Sequence, residues 1–280
     1  MRDLAFWRSV VWSIAGRPGR AGSVLTLAVL IFLSAIGQPR TGLAGSWPDT
    51  RVSGPFVCRA EFSLASWQGL LRELGQLQND LVRHLEIPAA TEPIEVYLFR
   101  DKYSYTRYLK RYLPEVPYRR ALYVKSQQGP GRVFAYRSNE LPTDLRHECT
   151  HALLHAVLPV VPLWLDEGLA EYFEVTASKR AFDNPHLGSL RWSLRFGMAP
   201  RLGSLEKKGN MPDMGRAEYR ASWAWVHFML HGPEQGHDEL VAYLQDIRAN
   251  TPPGLLSERL DRQLHGSQDR FVAHFRAWKR

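Results

Sequence analysis

An α+β fold is expected, with a small mixed α/β layer ahead of a mostly helical subdomain, and three features of the pattern predict it. Before residue 140, short apolar alternations are separated by amphipathic stretches. From Leu141 onward, apolar residues recur almost wholly at helical spacing, and no internal repeat breaks the succession. The expected divisions are 1–44 for a leader or membrane anchor, 45–54 for a linker, 55–140 for the α/β subdomain and 141–280 for the helical one. The active site is expected in the cleft between the last two.

Taken in order, Arg17 and Arg20 precede an apolar run from Val24 to Ile36, interrupted only by Thr26 and Ser34. A positive segment before an apolar run this short is the layout of a signal peptide, and Gly42-Leu43-Ala44 supplies small residues for cleavage after Ala44. Export is the expectation, to the periplasm or outside, with attachment to a membrane through residues 23–37 if the segment is retained. Residues 38 to 54 are rich in Gly, Pro, Ser and Thr, which reads as a linker, and the folded part is expected to begin near Pro55.

Phe56 to Phe62 predicts a strand. Leu70, Leu74, Leu77, Leu81 and Leu85 then mark a helix that ends before Pro88. Ile94, Val96 and Leu98 predict a second strand, and Tyr105, Tyr108 and Tyr112 form the packed stripe of an amphipathic helix. Ala121 to Lys125 and Arg132 to Tyr136 are expected strands around a turn at Gly129-Pro130-Gly131, giving about four strands and two helices in this half. Pro142 suits the first turn of the next helix and Pro159 closes it; Pro162 opens another. Loops and short helices are expected over 178 to 215. A helix follows from about Ala217 to Leu230, and two more finish the chain near 238 to 249 and 268 to 279.

Composition removes several classes of function. A content of 45% hydrophobic and 23% charged residues excludes large-scale disorder. The formal net charge of +8 suggests a nucleic-acid binder until it is located: residues 1 to 44 hold Arg2, Arg8, Arg17, Arg20 and Arg40 against Asp3 alone. That is half of the excess, and no basic run remains, so no nucleic-acid partner is expected. Cys58 and Cys149 are the only cysteines; without a C-x-x-C they offer no thiolate metal site, and both are expected to be small buried residues.

The chemistry gathers between Arg146 and Phe173. His147-Glu148-Cys149-Thr150-His151 is an H-E-x-x-H sequence, whose histidines at i and i+4 share one helix face and can reach one ion, Zn²⁺ by expectation, while Glu148 approaches its water. Such sites normally take three protein ligands. His155 lies two turns past His147, an axial rise of about 12 Å, which suits packing or support of a ligand rather than ligation. A metzincin pattern would need a glycine and a histidine where Leu154 and Val157 stand. Glu167, sixteen residues after His151 on a helix that can turn back across Pro159 to Pro162, is the expected third ligand.

H-E-C-T-H-A-L-L-H followed by P-L-W-L-D-E-G-L-A-E-Y-F resembles the gluzincin metallopeptidases, the thermolysin-like clan, and especially peptidase-MA-like bacterial proteins with H-E-x-x-H and W-L-x-E-G. The resemblance implies a zincin-type helical subdomain in which Glu167 is a ligand. It also implies a peptide or protein substrate, with Glu148 as the general base. Glu171 is placed like the acid that orients the first histidine in such enzymes, here His147, with Asp166 the competitor for that role. Tyr219 looks like the tyrosine that supplies an oxyanion donor in the clan's zinc aminopeptidases, with His227 and His231 as alternatives. Those aminopeptidases carry G-x-M-E-N upstream to grip the substrate amine, and nothing between Val116 and Arg146 matches it.

Arg132 to Tyr136 is expected as an edge strand that pairs with an extended peptide. Two functions stand at this point: a zinc-dependent peptidase outside the cytoplasm, and a non-catalytic exported envelope protein that keeps zinc for structure or binding. Endo- or exopeptidase action, the natural substrate and the oligomeric state stay open.

Overall fold

The computed structural model describes residues 46–126 and 129–279, together with 32–33. The expected leader, cleavage point and anchor lie outside the described residues, save for Phe32–Leu33. Among the described residues no helix is long and apolar enough to cross a membrane.

Five strands, β1 (Asp49–Ser53), β2 (Phe56–Ala60), β3 (Ile94–Phe99), β4 (Ala121–Ser126) and β5 (Arg132–Tyr136), form one sheet in the order β4-β5-β3-β2-β1, with Phe32–Leu33 beside the β4 end. The pairs β2–β3 and β3–β5 are parallel, while β1–β2 and β4–β5 are antiparallel. The chain is thus mixed α/β, a sheet layer followed by helices, as the periodicity predicts.

Two differences from the sequence reading matter. The 45–54 stretch is not a linker along its whole length: β1 pairs residue for residue with β2, Asp49 opposite Ala60 and Ser53 opposite Phe56, and Gly54 at φ +55° makes the turn between them. Arg132–Tyr136 is not an edge strand, because β3 and β4 flank it; on that side the sheet continues through β4 to Phe32–Leu33.

Helix α1 (Gln68–Leu85) buries its leucine stripe on one face of the sheet and ends where Glu86 turns left-handed at φ +51°. Helix α2 (Lys102–Tyr112), capped by Asp101 accepting from the Ser104 amide at 2.8 Å, covers the other face, where Tyr105 and Tyr108 join Tyr97, Phe99 and Phe134 in a small aromatic core. The larger core lies on the α1 side and runs without a break into the helices. Those are α3 (Leu141–Val157), α4 (Leu163–Phe173), α5 (His186–Arg195), α6 (Leu202–Leu205), α7 (Arg216–His231), α8 (Glu234–Arg248), α9 (Leu256–Leu264) and α10 (Ser267–Ala277). α9 is an element the sequence reading leaves out; it is only 9 residues long.

α3 is buried from Leu141 to His155 nearly all round, because β4 and β5, α1 and α4 each pack on part of it. That makes the metal-motif helix an internal strut of the fold. Cys58 and Cys149 are both buried and free.

Candidate metal centre

α3 and α4 pack against each other across the short Leu158–Pro162 connection, which brings Glu167 opposite the two histidines. Glu167 Oε2 lies 3.6 Å from His147 Nε2 and 3.9 Å from His151 Nε2. Bonds of about 2.0–2.1 Å in a tetrahedral site set neighbouring ligand atoms about 3.3 Å apart, so small movements suffice to receive an ion. All three residues are at most 1% exposed.

Whether these residues fit a metal is tested by what their polar atoms lack. His147 Nε2, His151 Nε2, Glu167 Oε2 and both Glu148 oxygens are buried and without a hydrogen-bond partner. One such atom costs about 1–3 kcal/mol, so five around one point are stable only if something binds among them. The charge balance points the same way. Burial alone lowers the imidazole of His147, but its contacts with Glu167 and Glu174 outweigh that and raise it well above the ordinary value. For His151, burial lowers and Asp166 and Glu167 raise, again with a net increase. The pocket has an excess of negative charge and favours a cation.

Each histidine is held from behind. His147 Nδ1 stands 2.9 Å from Glu174 Oε2, and His151 Nδ1 stands 2.9 Å from Asp166 Oδ1. For His147 the Nδ1–H directed at Glu174 leaves the Nε2 lone pair for the ion, while the His151–Asp166 approach is an ion-pair contact outside hydrogen-bond geometry. His155, which the sequence reading places in packing or support, gives Nε2 to the other Asp166 oxygen at 3.1 Å. Asp166 is fully buried; burial raises its carboxyl, but the two histidines win and hold it far below the ordinary range.

This corrects two expectations. Glu171 does not hold His147; its Oε2 pairs with His186 Nε2 at 2.7 Å, and the carboxylate on His147 is Glu174, three residues further on. Asp166 does not compete for His147 either, since it faces His151. Glu167, Glu171 and Glu174 recur at helical spacing along one stripe, so the pattern contained Glu174, but the helix rotation that chooses between 171 and 174 is a tertiary property.

Glu148 is fully buried beside the ligands, and burial is the main cause that pushes its carboxyl up to about 7. Tyr219, near the start of α7, is fully buried with its hydroxyl unpartnered. Burial first, then Glu167, Glu171 and Glu148, hold that hydroxyl firmly protonated, a neutral donor within the field of the site. His227 and His231 face elsewhere: His227 Nε2 lies 2.9 Å from the Ala181 carbonyl and His231 Nε2 2.7 Å from the Tyr172 hydroxyl.

The three ligand residues are enclosed. Cavities at Phe182, Leu187 and Trp278 and at Gly188, Trp192 and Arg220 include none of the site residues. The chain matches no protein-family model and no curated protein. Its buried cluster of His147, His151 and Glu167 could hold a metal ion.

Proposed function

We propose that the chain is a zinc-dependent peptidase of the gluzincin type, as its motifs suggest. The observation that carries this reading is the pair of unpartnered Glu148 oxygens, buried beside three ligand atoms that converge from α3 and α4. A structural zinc site closes with four protein ligands and has no need of a free carboxylate, whereas a hydrolytic site keeps one position open and a base beside it.

His147, His151 and Glu167 would hold the ion, which supplies Lewis acidity toward a scissile carbonyl and makes water a nucleophile near neutral pH. Glu148 takes the proton of the attacking water and passes it to the leaving amine, a role suited to a carboxyl poised near 7. Tyr219 donates its hydroxyl to the carbonyl oxygen as negative charge grows there. Glu174 and Asp166 keep the two imidazoles aimed. The absence of G-x-M-E-N turns the reading away from an aminopeptidase.

The rival is a non-catalytic metal-binding protein, and the enclosure of the site favours it. Replacement of Glu148 separates the two. Metal-loaded wild type is expected to hydrolyse peptides in a library digest, and Glu148→Gln to retain the metal while losing about 10²- to 10⁴-fold in rate. A Glu148→Gln protein as fast as wild type sinks the mechanism, and a metal-loaded wild type that cleaves nothing favours the rival.

A further inference from the structure

Tyr105 Oη and Arg119 Nε are buried without a hydrogen-bond partner, and neither has a part in holding an ion. Their position follows from how β4 lies on α3. At one end the Arg120 guanidinium grips Asp144 through two bonds of 2.7 and 2.9 Å; at the other, Lys125 donates to the His155 carbonyl. Five strand steps cover about 17 Å and eleven helix steps about 16 Å, so β4 runs alongside the metal helix. Arg119, the residue before Arg120, thus lies by the Asp144 end of α3, one helical turn ahead of Glu148, and Tyr105 packs its ring against Tyr118, the residue before Arg119. The electrostatics agree: Arg119 opposes the upward push on the Tyr219 hydroxyl, and Glu148 is the largest cause after burial of the rise at Tyr105.

The neighbouring cations are matched, Arg120 with Asp144, Arg146 with Glu73 at 2.8 Å, and Lys125 with a carbonyl. Arg119 has no ion pair or hydrogen bond among the described residues. A half-buried guanidinium with an orphaned nitrogen is stabilised when an anion arrives. The anionic group a peptide brings is a carboxylate.

We propose that Arg119, with Tyr105 as a neighbouring neutral donor, binds a carboxylate of the substrate, so that the site selects peptides with a terminal or side-chain carboxylate near the scissile bond. This rests on the peptidase reading for the word substrate, though the binding itself does not. The full-length, zinc-loaded Glu148→Gln protein is titrated calorimetrically with four blocked tripeptides: one with a free C-terminus and its amide, and one amide with a central Asp and its Asn twin.

One carboxylate member is expected to bind about 10- to 100-fold tighter than its neutral twin, the scale of a charged hydrogen bond, and the pair concerned tells terminal from side-chain recognition. Adding Arg119→Gln should bring that ratio to about one, and Arg119→Lys should keep part of it, with zinc content and thermal midpoint recorded for each. Equal binding of both pairs, or a ratio that survives Arg119→Gln, overturns the proposal. If carboxylate peptides bind through Arg119 while wild type cleaves none, the peptidase reading fails and the carboxylate site stands.

Discussion

At the scale of single residues, the site depends on which atoms have partners. Glu174 and Glu171 sit one turn apart on the same stripe, yet only Glu174 reaches His147, while Glu171 is engaged by His186. Loss of a carboxylate behind a ligating imidazole usually costs 10–100-fold in metal affinity. Glu174→Gln and Asp166→Asn are each expected to lose about that much in competition with a chromogenic chelator, and Glu171→Gln about threefold or less. Equal losses at 171 and 174 would mean that the histidine is not oriented as described. H-E-x-x-H and Glu167 were legible in the sequence because ligand spacing on a helix is a local property. Glu174 was not, since its reach to His147 depends on a helix rotation that no local period encodes.

Among the elements, the contact that presents Glu167 is α4 against α7. Gly168, next to the ligand, permits it: a Cβ there would meet the Ser222 carbonyl oxygen at 2.7 Å and Val226 at 2.9 Å. Gly168→Ala should therefore destabilise the protein by about 1–3 kcal/mol through overpacking and shift α4 with its ligand. Thermal unfolding is the measurement, at about 2–4 °C per kcal/mol for a chain of this size. Gly188→Ala on α5, with nothing within 4 Å of its added carbon, is the control and should leave the midpoint unchanged or slightly higher. Helices α1, α3, α4 and α7 were legible because each carries a long apolar period with proline or glycine at its borders. β1 was hidden by its exposed, polar composition, and its strand state comes from pairing with β2.

Over the whole molecule, α7 and α10 are joined by a histidine cluster in which His227 is fully buried and His231 and His274 are half-buried. His227 Nδ1 and His274 Nε2 are 3.2 Å apart, and Trp278 packs on the rings of His227, His231 and His274. Burial lowers all three, His227 to about 3 and the other two to about 4. Their folded values lie below the unfolded value near 6.5, so the stability they contribute is complete above that pH and is lost as pH falls toward 4. The thermal midpoint should drop below about pH 6.5, and less steeply in a His231→Gln/His274→Gln double variant. Identical slopes for the two proteins would remove the cluster as the cause.

Taken alone, the sequence determined the order of layers and the local chemistry: strands before helices, two imidazoles one turn apart, a base beside them and a carboxylate on the following helix. These follow from backbone period and side-chain type, which act over one or two turns. The tertiary structure decided which carboxylate supports which histidine, that β5 lies inside the sheet rather than at its edge, and that Arg119 Nε is buried without a hydrogen-bond partner. Those outcomes depend on packing between distant segments, where a rotation of one helix or the pairing of one strand reassigns every contact at once.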